Sequence, residues 1–109
     1  MPLTEECCQE IVRLFTNVHN AIRCETEEEA IVLGKVLANA GITWHSGTSL
    51  ADHTAWDYCK SETAYSIDPS DGSIEYCYAE YYEREGFEVI NFNSIAELSD
   101  VSLLEILTA

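Results

Sequence analysis

The stretch from Thr26 to Gly41 is the most clearly bounded element of the sequence. Thr26 and Glu29 have the spacing of a capping box, and the consecutive glutamates that end at Glu29 suit the positive end of a helix dipole. Apolar residues then recur at helical spacing, and Gly41 is suited to the left-handed conformation in which helices commonly end. The pattern predicts a helix over residues 27–40.

Short apolar segments on either side of this helix predict strands. Residues 21–24 precede the helix, and residues 42–45 follow it and end at Ser46 and Gly47. Two strands that are connected through a helix usually lie parallel in one sheet, with a right-handed crossover. The sequence therefore predicts a βαβ-like unit over residues 21–45.

The second half of the chain alternates between strand and turn patterns. Residues 68–72 are Asp, Pro, Ser, Asp and Gly, which are typical of tight turns, and they predict a hairpin between the strands on either side of them. Residues 79–85 are long enough for two helical turns, which Gly86 ends. The strands predicted in this half are residues 63–67, 73–78 and 87–92.

Helical patterns also occur at both ends of the chain. Thr4 suits an N-cap, and apolar residues at helical spacing predict an amphipathic helix over residues 5–18. Residues 101–107 predict a short C-terminal helix. Residues 48–62 have no regular pattern and predict a long loop with one or two helical turns, a length that often accompanies function.

The chain is long enough for one hydrophobic core. It has 109 residues, of which 47% are hydrophobic. Residues 1–109 are therefore expected to fold as a single domain without stabilising disulfides or metal ions. The predicted elements follow the order α-β-α-β-β-β-β-α. They predict an α+β fold, a two-layer sandwich in which helices cover a mixed sheet of about four or five strands.

The charge of the chain is strongly acidic. Asp and Glu outnumber Lys and Arg by 20 to 5, which gives a net charge of −15. Direct binding to nucleic acid or to an anionic membrane is disfavoured, because both depend on basic residues. A strongly basic protein partner is favoured, because electrostatic steering would speed the encounter. The alternative is that the charge only keeps the protein in solution.

The cysteines and the N-terminal residues predict a cytoplasmic protein. The five cysteines are an odd number with no regular framework. The first residues lack the basic and apolar regions of a secretory signal, and no apolar run is long enough to span a bilayer. Free thiols in a reducing cytoplasm are therefore expected.

No pattern in the sequence is typical of a catalytic or metal site. The nearest set of zinc ligands is His45, His53, Cys59 and Cys77, which lacks Cys-x-x-Cys or His-x-x-x-His spacing. Cys59 is a poor nucleophile, because its acidic neighbours are expected to raise the pKa of its thiol. The sequence therefore predicts a protein that is not an enzyme and that binds no metal or cofactor.

Residues 73–92 combine negative charge with aromatic side chains. They hold five carboxylates, one arginine and four of the six tyrosines. Tyrosine provides large contact area, and carboxylates pair well with arginine. Some tyrosines could instead pack beneath a helix, although the consecutive Tyr81 and Tyr82 cannot both point inward. The candidate partner-binding residues are Glu75, Glu80, Tyr81, Tyr82, Glu83, Glu85 and Glu88, with Glu27 and Glu28 as additional members.

Several short segments resemble small acidic proteins encoded by phages and prophages. They are Arg-Cys-Glu-Thr-Glu-Glu-Glu-Ala at residues 23–30, Gly-Ile-Thr-Trp-His-Ser-Gly at 41–47, Ala-Tyr-Ser-Ile at 64–67, Ile-Glu-Tyr at 74–76 and Tyr-Tyr-x-x-x-Gly-Phe-x-Val-Ile at 81–90. The resemblance covers most of residues 20–92. It implies an anti-CRISPR-like inhibitor in the cytoplasm of a bacterial host, without catalytic residues. Such an inhibitor would occupy the basic nucleic-acid-binding groove of a defence nuclease or CRISPR effector by mimicking nucleic acid.

Two alternatives from other functional classes stay open. One is a protein that sequesters a nucleotide second messenger in a pocket formed by Trp44, His45, Ser46, Trp56 and Tyr58, where the aromatic rings would stack on a base. The other is a regulatory or structural phage protein whose acidity is incidental. In addition, the predicted strand over residues 87–92 offers an edge for pairing in a homodimer.

Overall fold

A computed structural model describes residues 5–98 of the chain and contains five α-helices and four strands there. The helices are α1 (Glu5–Phe15), α2 (Glu27–Asn39), α3 (Trp56–Cys59), α4 (Ala79–Arg84) and α5 (Phe92–Leu98), with a 3-10 turn at Lys60–Glu62. The strands are β1 (Asn20–Arg23), β2 (Thr63–Ile67), β3 (Ile74–Tyr78) and β4 (Glu88–Asn91). None of these helices is long and apolar enough to cross a membrane.

The four strands form one mixed sheet in the order β3-β2-β1-β4. β2 is antiparallel to both of its neighbours, whereas β1 and β4 are parallel. Ile22 on β1 lies opposite Tyr65 on one side and Ile90 on the other. β4 is an edge strand, as the sequence predicted, and pairing across a homodimer at this edge stays a prediction.

The helices cover the two faces of the sheet unequally. On the first face, α1, α2 and α5 enclose the main core, whose buried members include Phe15, Leu33, Tyr65 and Phe92. On the second face, the short α4 packs over a smaller cluster around Ala21, Ala64 and Tyr82. The predicted α+β class, with an N-terminal helix over a mixed sheet, is confirmed. α5 is a short helix near the C-terminus, and the helix predicted over residues 101–107 lies outside the described residues.

The strand predicted over residues 42–45 is absent, and this prediction is wrong. Gly41 has a φ of +82°, and this turns the chain back so that the N–H of Ile42 donates to the carbonyl of Leu37 at 2.8 Å. The segment still contacts the sheet, because the N–H of Ile74 donates to the carbonyl of Thr43 at 3.0 Å and the Trp44 ring packs on Tyr65 and Tyr76. The connection that contains α2 ends on β2, which is antiparallel to β1, and the parallel partner of β1 is β4.

The start of α2 has the predicted cap, with one difference in detail. The backbone N–H of Glu29 donates to the Thr26 hydroxyl at 3.2 Å. The Glu29 carboxylate accepts from the N–H of Glu25 at 3.1 Å, one residue before the expected position. Together these bonds satisfy two backbone donors at the helix start.

The loop after residue 47 packs closely on α2. A Cβ atom at Gly34 would lie 2.2 Å from the backbone nitrogen of Ala51. Only glycine therefore allows the loop to approach the helix this closely. This contact holds residues 48–55 beside α2.

Candidate functional site

α4 places the acidic, tyrosine-containing segment on the second face of the sheet. The helix follows β3 without an intervening loop. Ala79 and Tyr82 point toward the sheet and are buried, whereas Glu80, Tyr81 and Glu83 are exposed. This division follows helical geometry, because residues three apart share one side of a helix.

Tyr82 is committed to the interior and is not available to a partner. Only 3% of the residue is exposed, and the Ser66 hydroxyl on β2 donates to the Tyr82 hydroxyl at 2.9 Å. The Tyr82 ring also packs on Phe87, with 5.0 Å between the ring centroids. The prediction that Tyr82 belongs to the contact surface is therefore wrong. Its ring fills the space between α4 and the sheet.

Tyr81 takes the outward position instead. It is 43% exposed, and its ring stands edge-on to that of Tyr82 at 5.6 Å. The negative charge of Glu85 raises the pKa of the Tyr81 phenol, with smaller contributions from slight burial and from other charges such as Glu75. Tyr81 is thus an exposed ring on a fixed support, next to carboxylates.

The acidic surface extends from α4 to the hairpin turn. Partial burial raises the pKa of Glu75, and the charges of Asp68 and Asp71 raise it further. The three carboxylates therefore lie close enough to interact. Asp68 and Asp71 are not among the contact residues predicted from the sequence, although the predicted hairpin turn was a signal that they lie near the strand that carries Glu75.

We call this surface the acidic face. It consists of Asp68, Asp71, Glu75, Glu80, Tyr81, Glu83 and Glu85.

Most carboxylates of the acidic face have no basic partner in the part of the chain that the structure describes. Within residues 8–95, whose side chains the structure describes, the pairs between basic and acidic side chains are Arg13–Glu10, Arg23–Glu25, Arg23–Glu62 and His45–Asp71. Asp71 is the one member of the acidic face in this set. Arg84 is exposed at the end of α4 and pairs with no carboxylate among these described side chains. The negative charge of the acidic face is therefore compensated mainly by solvent.

Three other predicted contact residues lie away from the acidic face. Glu88 is exposed at the start of β4, and strand alternation places it with Ile90 on the first face of the sheet. Glu27 and Glu28 are in the first turn of α2, which packs on that first face. The Thr54 hydroxyl donates to the Glu27 carboxylate at 2.9 Å. The structure thus brings together five of the nine predicted residues: Glu75, Glu80, Tyr81, Glu83 and Glu85.

Four of the five residues of the predicted nucleotide pocket line two separate depressions, and Ser46 lines neither of them. Trp44 and His45 line a hollow beside the hairpin turn that carries Asp71. Trp56 and Tyr58 line a cleft at the start of α2. Both depressions contain carboxylates, which disfavour a phosphate group.

The cysteine environments do not favour nucleophilic chemistry. Burial raises the pKa of Cys24 well above its ordinary value, and Glu29 adds to this effect. Burial is also the main cause of the raised pKa of Cys59, with Cys77 second. The rise at Cys59 was predicted, but its acidic sequence neighbours are not the cause. In the described part of the chain, no three His, Cys, Asp or Glu side chains are arranged to hold a metal ion.

No protein-family model, curated protein or solved structure matches the chain.

Proposed function

We propose that this protein is a non-enzymatic inhibitor that binds the basic, nucleic-acid-binding groove of a host defence nuclease through its acidic face. The observation that supports this most directly is the group of carboxylates around Tyr81 that pair with no basic side chain among the described residues. A surface of this kind offers a partner what a nucleic acid offers, namely repeated negative charge beside an aromatic ring. The net charge of −15 also favours binding to a basic groove.

The chemistry of the acidic face matches a partner rich in arginine. A guanidinium group can pair with two carboxylate oxygens and can also stack on an aromatic ring. Tyr81 is suited to this role because Tyr82 supports its ring from below. A ring that is already oriented loses less conformational entropy on binding.

The resemblance to small acidic phage-encoded proteins supports the choice of a defence nuclease, such as a CRISPR effector, within a bacterial host cell. On this proposal the protein competes with guide or target nucleic acid for the groove. Competition of this kind needs no catalytic residue and no cofactor. It should weaken as the salt concentration rises, because exposed charges are screened beyond a Debye length.

The test is inhibition of target cleavage by a panel of purified CRISPR effector nucleases. The diagnostic variant is Glu80→Lys, Glu83→Lys and Glu85→Lys in one chain, all on the acidic face. A matched control carries Glu28→Lys, Asp52→Lys and Asp57→Lys, which make the same charge change at the start of α2, in the adjacent loop and in α3. We expect inhibition by the wild type and the control, and a loss of about 100-fold or more in the diagnostic variant.

Three outcomes contradict the proposal at different levels. If no nuclease of the panel is bound or inhibited, the defence partner is wrong. If the diagnostic variant inhibits as well as the wild type while its circular dichroism is unchanged, the acidic face is wrong. If both triple variants lose inhibition equally, net charge rather than a defined surface is responsible.

A further inference from the structure

A second concave surface lies between the start of α2 and the loop over residues 52–58. Its volume is about 340 Å³, within the usual range for small-molecule sites. α2 packs on the first face of the sheet, so this cleft is separated from the acidic face by the sheet itself. The side chains that line it and carry the argument are Glu27, Asp52, His53, Trp56, Asp57 and Tyr58.

The aromatic side chains around the cleft form a continuous row. Tyr58 is 65% exposed, and its ring lies 5.9 Å from that of Tyr76. Tyr76 stands edge-on to Trp44 at 5.8 Å, and Trp44 stands edge-on to His53 at 6.1 Å. Both ends of the row, Tyr58 and His53, line the cleft. The exposed ring of Tyr58 is therefore supported from behind.

Hydrogen bonds from the core hold the loop that forms the cleft. The buried Tyr65 hydroxyl donates to the carbonyl of Thr54 at 2.6 Å. The indole N–H of Trp44 donates to the carbonyl of His53 at 2.7 Å. The Thr54 hydroxyl donates to the Glu27 carboxylate, which ties the loop to α2. The cleft thus exists before any ligand binds, which lowers the entropic cost of binding.

The charges around the cleft select for a cation of a particular kind. Glu27, Asp52 and Asp57 carry negative charge, and no Lys or Arg is among the described residues that line the cleft. These carboxylates do not converge as metal ligands. They surround a space much larger than a metal ion and are accompanied by exposed aromatic surface. A bulky organic cation uses both features, through charge attraction and through cation–π contact.

We propose that this cleft binds a small organic cation, with a substituted ammonium or guanidinium group between Tyr58 and the Glu27 carboxylate. Trp56 and His53 provide the remaining walls. The Thr54 hydroxyl occupies one oxygen of Glu27 and leaves the other for the ligand. This binding site is independent of the acidic face.

The test uses choline and agmatine as probes, followed by the NMR signal of the Trp56 indole N–H at roughly 150 mM salt. The uncharged alcohol 3,3-dimethylbutan-1-ol, which has the shape of choline, is the matched control ligand. We expect at least one cation to give a saturable shift at Trp56 and in residues 52–58. The alcohol should bind at least about tenfold more weakly, because it lacks the charge.

Variants identify the residues that hold the cation. Glu27→Gln and Tyr58→Leu should each weaken binding by about three- to tenfold. Glu85→Gln with Tyr81→Leu makes the same chemical changes on the acidic face and should leave binding unchanged. The proposal is overturned if neither cation gives a saturable shift, or if the alcohol binds equally well. It is also overturned if the acidic-face variant loses as much affinity as the cleft variants while all of them keep the wild-type circular dichroism.

Discussion

The hydroxyl of Ser66 donates a hydrogen bond to the hydroxyl of Tyr82 across 2.9 Å, and both residues are buried. This bond joins β2 to α4 on the second face of the sheet. Because the Tyr82 ring also contacts Phe87 and Tyr81, it sets the orientation of the exposed tyrosine beside it. A pair of uncharged hydroxyl groups thus helps to hold α4, which carries Tyr81, against the sheet.

Tyr82→Phe should destabilise the protein by about 1–2 kcal/mol, because the buried Ser66 hydroxyl would lose its partner. Urea unfolding measures this change. The double variant Ser66→Ala with Tyr82→Phe removes both hydroxyls and should recover much of the loss. Tyr81→Phe, at an exposed position, is the matched control and should change stability by less than about 0.5 kcal/mol. Equal stability of Tyr82→Phe and the wild type would show that this hydrogen bond contributes nothing.

Glu29→Gln should change the dependence of stability on pH. Burial is the main cause of the raised pKa of Glu29 in the folded protein, although the N–H of Glu25 opposes it. A carboxyl group whose folded pKa lies above its unfolded pKa binds more protons when folded. Stability therefore falls as the pH rises through the interval from the unfolded to the folded pKa. Glutamine keeps an acceptor for Glu25 and removes this fall.

Free energies of unfolding at about pH 4 and about pH 7.5 give the comparison. The stability of Glu29→Gln relative to the wild type should increase between these two values. A relative decrease over the same interval would mean that the folded state favours the charged form of Glu29. Glu28→Gln, in the same helical turn but exposed, is the control and should show a smaller change.

Gly34→Ala should be among the most damaging single substitutions. The new methyl group would lie 2.2 Å from the nitrogen of Ala51 and 2.8 Å from the carbonyl carbon of Leu50, so backbone must move. We expect a loss of about 3 kcal/mol in urea unfolding. Gly86→Ala has open space around the new atom but a φ of +85°, and should cost about 1 kcal/mol. The opposite ranking would contradict the close packing of the loop on α2.

Tyr65→Phe should loosen the loop that forms the cleft. The Tyr65 hydroxyl is buried and donates to the carbonyl of Thr54, so its removal leaves that carbonyl unpaired at a cost of about 1–2 kcal/mol. Amide hydrogen exchange in residues 52–58 should become faster. Tyr78→Phe is the matched control, because the Tyr78 hydroxyl is exposed and lies 3.4 Å from the carbonyl of Tyr58. Exchange that is unchanged in Tyr65→Phe would show that the loop is held by other contacts.

Asp71 should titrate well below the ordinary range for aspartate. The hydroxyl and the N–H of Ser73, followed by His45, lower its pKa to about 2. NMR titration of the side-chain carboxyl carbon measures this value. Ser73→Ala should raise the pKa more than His45→Ala does, because the Ser73 hydroxyl is the largest cause. A larger effect of His45→Ala would reverse this order of causes.

Local patterns in the sequence predicted most of the elements correctly. α2 is an example, because Thr26, Glu29 and Gly41 act on backbone groups within a few residues of themselves. The β2–β3 hairpin is another, since the turn chemistry of residues 68–72 lies between its strands. In both cases the interactions that decide the structure are close together in the sequence.

The wrong prediction of a strand at residues 42–45 shows that local sequence patterns do not determine which strands pair. An apolar segment forms a strand only if another strand with unpaired backbone groups lies beside it. Here the N–H of Ile42 bonds to Leu37 instead, and β1 is already paired on both sides by β2 and β4. Which strands pair is a competition between distant parts of the chain, and local composition does not record its outcome.

The acidic face, too, has some properties that the sequence determines and others that only the tertiary structure decides. The sequence alone establishes the net charge, the clustering of carboxylates with tyrosines and the rule that Tyr81 and Tyr82 cannot both face inward. The tertiary structure decides that Tyr82 is the buried one, because Ser66 and Phe87 lie beneath α4. It also adds Asp68 and Asp71 to the acidic face and separates Glu27, Glu28 and Glu88 from it. The physical reason is that charge is a property of each residue, whereas a surface depends on which residues the fold brings together.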